Sequence, residues 1–232
     1  MKIGLLGDIH GNALALEAVL QSAFAASVEK LVVTGDLVGY YFAPFRVLQL
    51  LSEWDRSVVR GNHEEMLCSS RNDPAFLATV DVRYGSGIRV AMEQLSEDQI
   101  NELCALPHPL ELTLDGVRVL LCHGAPWDLN QYLYPDTDVG LIERCAGVQH
   151  DLVVVGHTHY PMLKVIGKTL LVNPGSVGQP RNRQLGAQWV LFDTSTRSVE
   201  FRREEYDPSS LIAECRSRHP ELPYLSEVLV RV

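Results

Sequence analysis

Lys2-Ile3-Gly4-Leu5-Leu6-Gly7-Asp8-Ile9-His10-Gly11 is the stretch that decides the fold. An apolar run over 2–6 ends in a glycine, then presents a carboxylate and an imidazole two residues apart. A short continuous apolar run followed by Gly-Asp reads as a buried strand ending at a turn. Asn12 can cap the helix that follows, and Leu16, Val19, Leu20 and Phe24 recur at helical spacing to give it a core face. The same pattern then repeats. Residues 31–34 form a second apolar run ending in Gly35-Asp36. Pro44 suits the first turn of a helix with Phe45, Leu48 and Leu51 on one side. Residues 57–59 form a third run, ending in Arg60-Gly61-Asn62-His63. Such strand–helix alternation predicts a parallel or mixed sheet.

Farther along, residues 74–105 have helical character, and Ser96-Glu97-Asp98-Gln99 has the form of a capping box that starts a helix. The period then changes. Residues 110–114 and 117–122 flank Asp115-Gly116, a strong hairpin signal. Further strands are expected at 152–155, 169–172, 187–192 and 199–203, and Asp207-Pro208 opens a C-terminal helix over 209–218. Runs that are apolar throughout are covered on both faces. So many strands fit two stacked sheets flanked by helices better than one doubly wound sheet. No repeat, low-complexity tract or linker interrupts the sequence, so the expectation is one α/β domain over 1–232 with a C-terminal helix and tail from about 208.

Composition narrows the class. The chain has 232 residues, 46% of them hydrophobic, which is enough for a substantial core. Its formal charge of −9 argues against a partner such as duplex nucleic acid. No apolar run approaches the ~18 residues of a membrane span, and the first residues do not form a secretion signal, so a cytoplasmic protein is expected. The five cysteines are scattered and form no CxxC pair, which reads as buried reduced thiols.

The polar residues sit at strand ends. Asp8 and His10 follow the first strand, Asp36 the second, Asn62 and His63 the third, His123 the hairpin, and His157 and His159 the 152–155 strand. In α/β sheets the ligand crevice lies at the carboxyl ends of strands. Glycine precedes four of these groups, at Gly7, Gly35, Gly61 and Gly156, and permits close backbone approach. In an extended segment residues i and i+2 point the same way, so Asp8 with His10, and His157 with His159, can serve one centre or two adjacent ones. Carboxylate, amide and imidazole without thiolate favour manganese, iron, cobalt, nickel or zinc over a structural zinc site. Asp8, His10, Asp36, Asn62, His123, His157 and His159 are too many ligands for one ion and suit two that share a carboxylate.

Gly-Asp-Ile-His-Gly (7–11), Gly-Asp-Leu-Val (35–38), Gly-Asn-His-Glu (61–64), His-Gly (123–124) and Gly-His-Thr-His (156–159) resemble, in type and order, the motifs of calcineurin-like metallophosphoesterases. Asn-Pro-Gly-Ser (173–176) resembles the small bacterial and archaeal phosphodiesterase branch. The resemblance implies a four-layer αββα sandwich of two mixed sheets flanked by helices, and two divalent ions, manganese foremost. It places Asp8, His10, Asp36 and His159 around the first ion and Asn62, His123 and His157 around the second. Asp36 bridges them, and His63 faces the leaving group without binding metal. In the protein serine/threonine phosphatase branch the second motif continues Asp-Arg-Gly. Here Leu37-Val38-Gly39-Tyr40 follows Asp36, which argues against a phosphoprotein substrate.

The chemistry implied is attack on phosphorus by hydroxide prepared between two cations. Asp36 and His63 are the expected catalytic groups. Arg60, Arg181 and Arg183 are candidates to clamp a phosphate, and Tyr40 to carry a nucleobase or aryl group, so the expected partner is a small phosphoester, diesters ahead of monoesters, with nucleotide-derived esters among the open candidates. Asn173 is a candidate to orient a ligand imidazole, and Glu64 reads as a helix-start residue. An idle scaffold on the same fold, or a nuclease, is the competing expectation. The first is disfavoured because every motif residue is present, the second by the acidic charge. A homo-oligomer is compatible with the sequence.

Overall fold

Strands whose side chains alternate between two apolar environments need cover on both faces, and here each sheet is covered by the other on its inner face and by helices on its outer one. The computed structural model describes residues 1–147 and 149–232. In chain order the elements are β1 (Lys2–Leu6), α1 (Ala13–Ala25), β2 (Lys30–Val33), α2 (Pro44–Ser52), β3 (Arg56–Val58), α3 (Asn62–Ser70), α4 (Pro74–Tyr84), α5 (Gly87–Gln94), α6 (Glu97–Ala105), β4 (Leu110–Leu114), β5 (Val117–Leu121), α7 (Val139–Ala146), β6 (Leu152–Val154), β7 (Met162–Ile166), β8 (Thr169–Asn173), β9 (Ala187–Asp193), β10 (Ser198–Glu204), α8 (Ser209–Arg218) and α9 (Tyr224–Glu227).

One sheet has the order β10-β9-β1-β2-β3 and the other β4-β5-β6-β8-β7. Strands β1, β2 and β3 run parallel, with β9 antiparallel to β1 and β10 antiparallel to β9. In the second sheet β5, β6 and β8 are parallel, and β4 and β7 are antiparallel edges. Alternation along the strands places the layers. Ile3, Leu5, Val32, Val190 and Phe192 of the first sheet meet Val119, Leu121, Leu152, Val154 and Val172 of the second in one buried cluster. Leu31, Val33, Trp189 and Leu191 point the other way, into a core with Leu16 and Val19 of α1 and Leu51 of α2. Leu120, Val153 and Leu171 face Ile142 and Cys145 of α7. The four-layer αββα sandwich of mixed sheets is thus present.

Several local expectations need correction. Phe24 is 79% exposed and Phe45 48% exposed, while Ala23 of α1 and Val47 and Leu50 of α2 are buried in their place. The helices are rotated so that smaller residues meet the sheet. Residues 74–105 divide into α4, α5 and α6, with Gly85 at φ 78° ending α4 and the predicted Ser96–Gln99 capping box starting α6. Helices α7 and α9 and strand β7 were not anticipated, and α3 was marked only by Glu64 as a helix start. The expectation of reduced thiols fails for one pair. Helix α3 lies against α6 and brings Cys68 and Cys104 into a disulfide, whereas Cys122, Cys145 and Cys215 are free and buried. No helix of the described residues is long and apolar enough to cross a membrane.

The expected C-terminal helix is present as α8, and the chain turns back through α9. Leu211, Cys215, Leu225 and Val228 pack on Tyr40, Tyr41 and Phe42 of the loop after β2, which brings the C-terminal segment to the edge of the functional site.

Candidate metal centre

The parallel strands β1, β2 and β3 of one sheet, and β5 and β6 of the other, end on the same side of the sandwich. Their C-terminal turns carry all the candidate ligands. Asp8, His10, Asp36 and His159 converge, and Asp36 also meets His123 and His157, so the two groups share the Asp36 carboxylate. His123 Nε2 lies 2.9 Å from Asn62 Oδ1, which adds Asn62 to the second group. All seven side chains are buried.

The backbone is bent to achieve this. Asp8, His10, Asp36, His157 and His159 adopt φ values of 53°, 53°, 54°, 66° and 60°. The left-handed region costs a non-glycine residue roughly 1–3 kcal/mol and persists where the surroundings over-determine it. The paired ligands therefore do not converge through an extended i, i+2 alternation. Each sits on its own left-handed turn, and His157 and His159 serve different groups. A side chain at Gly61 would strike the Asp36 carboxylate, and one at Gly156 would strike Asp8 Oδ2 and Thr34 Oγ1, so glycine is required at both.

Hydrogen bonds fix the ring tautomers. His10, His123 and His159 direct Nδ1 at the carbonyl oxygens of Val38 (3.2 Å), Thr34 (2.7 Å) and Gln179 (2.7 Å). A carbonyl only accepts, so each Nδ1 carries the proton and each Nε2 presents a lone pair inward. Those lone pairs crowd together. His10 Nε2 is 3.1 Å from His159 Nε2, and His123 Nε2 is 3.0 Å from His157 Nδ1. Asp36 Oδ2 lies 3.6 Å from His10 Nε2 and 3.4 Å from His123 Nε2, and Asp8 Oδ1 lies 3.5 Å from His159 Nε2. Facing imidazole lone pairs beside two buried carboxyl groups are a poor protein interior and a good cation site.

The titration behaviour has the same cause. Burial lifts Asp8 to about 8 and Asp36 well above the carboxylate range, with Glu64 and Asp8 adding repulsion at Asp36. Burial drives His10, His123 and His159 well below the ordinary imidazole value, His157 to about 4 and His63 to about 3. Neutral imidazoles are the form that binds metal, and divalent cations would offset the cost of ionising the two aspartates.

The supporting contacts correct two expectations. Glu64 is more than a helix-start residue. Its buried carboxylate accepts the backbone N–H groups of Asp36 (2.8 Å), Leu37 (2.7 Å) and Gly61 (2.8 Å), locking the Asp36 turn to the start of α3. Asn173 touches no ligand ring. Its Nδ2 donates to Gly156 O (2.8 Å) and Thr158 Oγ1 (3.0 Å), so it fixes the loop carrying His157 and His159.

A cavity of about 20 Å³ opens over the centre, lined by His63, Tyr40, Tyr84, Tyr132 and Arg181 beside ligands of both groups. Arg181 reaches it, held by Tyr40 Oη (3.0 Å) and Gln179 Oε1 (2.9 Å). Arg60 and Arg183 do not line it. Arg60 donates to Cys104 O (3.2 Å) on the far side of its turn, and Arg183 is exposed on the loop beyond Arg181. Tyr40 is buried against His10 and His63 rather than standing free as a platform. Tyr132, stacked on His157 at 4.0 Å between ring centres, and Tyr84 were not picked out from the sequence, where neither carries a motif.

A family model described as the calcineurin-like phosphoesterase superfamily domain matches residues 1–197. The chain is 29% identical over 223 residues, 88% of each chain, to an uncharacterized protein, MJ0912, of Methanocaldococcus jannaschii. It is 26% identical over 209 residues to phosphodiesterase YfcE of Escherichia coli, covering 86% of this chain and 91% of that one. A metallophosphoesterase structure from Sphaerobacter thermophilus superposes with a TM-score of 0.78 at 26% identity, over 100% of this chain and 99% of the other.

Proposed function

Because the chain belongs to the calcineurin-like phosphoesterase superfamily, we propose that it hydrolyses small phosphodiesters at a dinuclear metal centre held by Asp8, His10, Asp36, Asn62, His123, His157 and His159. The observation that carries this reading is the facing lone pairs of His10 and His159 at 3.1 Å, with His123 Nε2 3.0 Å from His157 Nδ1 and the opposite ring nitrogens of His10, His123 and His159 pinned to carbonyls. Manganese is the ion we expect first, with iron, cobalt, nickel and zinc as alternatives, since the donors are oxygen and nitrogen alone. Bound there, two divalent ions would supply Lewis acidity and lower the pKa of water toward neutrality.

The remaining work falls to the chain. Arg181 is cationic and aimed into the cavity, so it takes a phosphate oxygen and offsets charge that builds there. His63 lines the cavity, and its Nδ1 has no hydrogen-bond partner. Burial holds it neutral, with its pKa driven to about 3. It therefore assists the leaving oxygen as a neutral N–H donor, and a bound phosphate anion beside it would raise its basicity. Diesters are favoured over monoesters because the cavity offers one guanidinium beyond the metal ligands, whereas a dianionic monoester calls for more cationic capacity. The described body from β1 to α9 acts as one domain in this reading, with the C-terminal segment packed at the site.

The test is metal analysis of the purified protein, then stripping, reloading with each ion, and assay against an aryl diester and the aryl monoester with the same leaving group. Close to two equivalents of metal and diester turnover at least about tenfold above monoester are expected. Fewer than one equivalent, or turnover that ignores metal, would overturn the proposal. Full metal content with no turnover on any ester would instead favour the scaffold.

A further inference from the structure

A cavity of about 20 Å³ holds little more than a water molecule. The groups attached to the reacting phosphorus must therefore lie outside it. Arg181 borders this cavity and also a neighbouring cleft of about 630 Å³, whose other lining residues include Tyr134, Tyr160, Tyr224 and Arg231. That volume is within the usual range for small-molecule sites.

Two features of the cleft select a ligand. The first is an aromatic ladder that rises from the metal centre. Tyr132 stacks on His157, Tyr134 stacks on Tyr132 with centres 5.7 Å apart and planes 5° off parallel, and Tyr160 meets Tyr134 edge-on at 5.6 Å. The second is a pair of cations, Arg181 and Arg231, in the same lining. Arg231 donates to Arg181 O (3.3 Å), and Tyr224 Oη donates to the same Gln179 Oε1 that holds Arg181. Tyr224 and Arg231 both come from the C-terminal segment, beyond the residues matched by the family model. Asp136 is the acidic residue lining the cleft, against two arginines.

We propose that this cleft binds the non-reacting substituent of the substrate, and that this substituent is a nucleoside carrying a second phosphate, as in a dinucleotide: the base packs on Tyr134 and Tyr160, and the second phosphate pairs with Arg231. The proposal rests on the phosphodiesterase reading above. Tyrosine faces accept any base, and guanidinium is suited to phosphate. The C-terminal segment is in this view a specificity element. Arg231 touches substrate away from the reacting atoms, so removing it changes selectivity and not the chemistry at the metal centre.

Three esters with one leaving group test it: methyl p-nitrophenyl phosphate, the p-nitrophenyl ester of thymidine 5′-phosphate, and that ester bearing a 3′-phosphate. With the metal-loaded full chain, kcat/KM should rise by about tenfold at each step, mainly through KM. Arg231→Ala should erase the second step alone, and Tyr134→Ala the first, while both leave methyl p-nitrophenyl phosphate turnover within about twofold. Similar kcat/KM for all three esters in the natural sequence, or an Arg231→Ala loss shared equally by all three, overturns the subsite. If none of the three is hydrolysed, the phosphodiesterase reading fails, and the subsite is judged by calorimetry with thymidine 3′,5′-bisphosphate. Binding that weakens about tenfold in Arg231→Ala sustains the cleft, and binding that is absent or unchanged by the substitution removes it.

Discussion

The ligand shell and the rim of the cleft face the same space but are built by different means. The shell is backbone-determined. Asp8, His10, Asp36, His157 and His159 sit on left-handed turns at strand ends, and every ligand is buried. Its supports are main-chain groups: Val38 O, Thr34 O and Gln179 O orient three rings, and backbone N–H groups converge on Glu64. The rim is side-chain-determined. Arg181 is placed by Tyr40, Gln179 and, through Gln179, by Tyr224 from the far end of the chain, and Tyr132 is 45% exposed. In the proposed reading, a rigid shell fixes where chemistry happens. An adjustable rim of phenols and guanidiniums decides what is brought to it. The difference predicts that shell substitutions abolish metal binding and rim substitutions only retune recognition.

Asp36→Ala should have the largest effect. Asp36 belongs to both ligand groups, so the variant should lose both ions, and turnover should fall on the order of 10⁴-fold or more. Metal analysis and steady-state rates check it. Retention of two equivalents would show that the groups do not share Asp36. His63→Ala comes next. It should keep both ions and lose about 10²- to 10³-fold in kcat, because His63 lines the cavity without joining either ligand group. Loss of metal would move His63 into the shell.

Glu64→Gln tests whether the shell is held by the backbone. The Glu64 carboxylate accepts N–H groups from both the Asp36 turn and Gly61, and an amide has one acceptor oxygen where the carboxylate has two. A loss of about 2–4 kcal/mol of stability is expected, since charge-assisted hydrogen bonds contribute about 1.5–3 kcal/mol each. Denaturant unfolding measures it, and an unchanged midpoint would assign the rigidity of the turn elsewhere.

The pH dependence of metal-stripped protein probes the shell without substitution. Asp8 has a folded pKa raised from 3.8 to about 8, so approaching pH 8 the unfolded chain is ionised at Asp8 while much of the folded chain keeps its proton, and Asp36 is raised in the same direction. From about pH 7.5 upward, where unfolded histidines are nearly all neutral, stability must therefore fall as pH rises, by about 1 kcal/mol per pH unit from Asp8 with Asp36 adding to it. Below about 7 the buried imidazoles take over: unfolded histidines gain protons that His63 and His157 refuse until about 3 and about 4, so stability also falls toward acid. Thermal melts of stripped protein should peak between these limbs. Added metal should flatten the alkaline limb by keeping the aspartates ionised, and an alkaline limb that persists with metal bound would mean that the ions do not contact Asp8.

The same division explains what the sequence discloses. Each shell turn leaves a local mark, a glycine beside a carboxylate, amide or imidazole after an apolar run, so Gly7-Asp8, Gly35-Asp36, Gly61-Asn62 and Gly156-His157 read off directly. The two-sheet fold is legible for a similar reason, since β1, β2, β5 and β6 are apolar apart from Lys2, Lys30 and Arg118 near their starts. What holds the turns is not legible. Glu64 has the pattern of an ordinary first-turn acid, and only the approach of the turn after β2 to the start of α3 brings its carboxylate onto the Asp36 backbone. The rim fails differently. Arg60 adjoins Gly61 in sequence, yet its guanidinium turns to Cys104 O, whereas Arg181 arrives from a loop in which no local pattern separates it from Arg183. Six of the eight tyrosines, at 40, 84, 132, 134, 160 and 224, line the two connected spaces. That concentration appears only after folding, apart from the i, i+2 pair Tyr132 and Tyr134.

The smallest effect separates placement from chemistry at the rim. Tyr40→Phe removes the phenol that accepts from Arg181 Nη2 but keeps the ring buried against His10 and His63. Gln179 Oε1 still accepts from the same guanidinium, so Arg181 loses one of two partners. One neutral-acceptor hydrogen bond contributes about 1 kcal/mol, so KM should rise about fivefold with kcat within about twofold and metal content unchanged. Phenol burial raises the Tyr40 pKa well above its ordinary value, which keeps it a neutral partner across the working range, so this ratio should not vary between pH 6 and 9. A fall in kcat equal to that of His63→Ala would instead place the Tyr40 hydroxyl among the reacting groups, and the boundary between shell and rim would then run through Tyr40 itself.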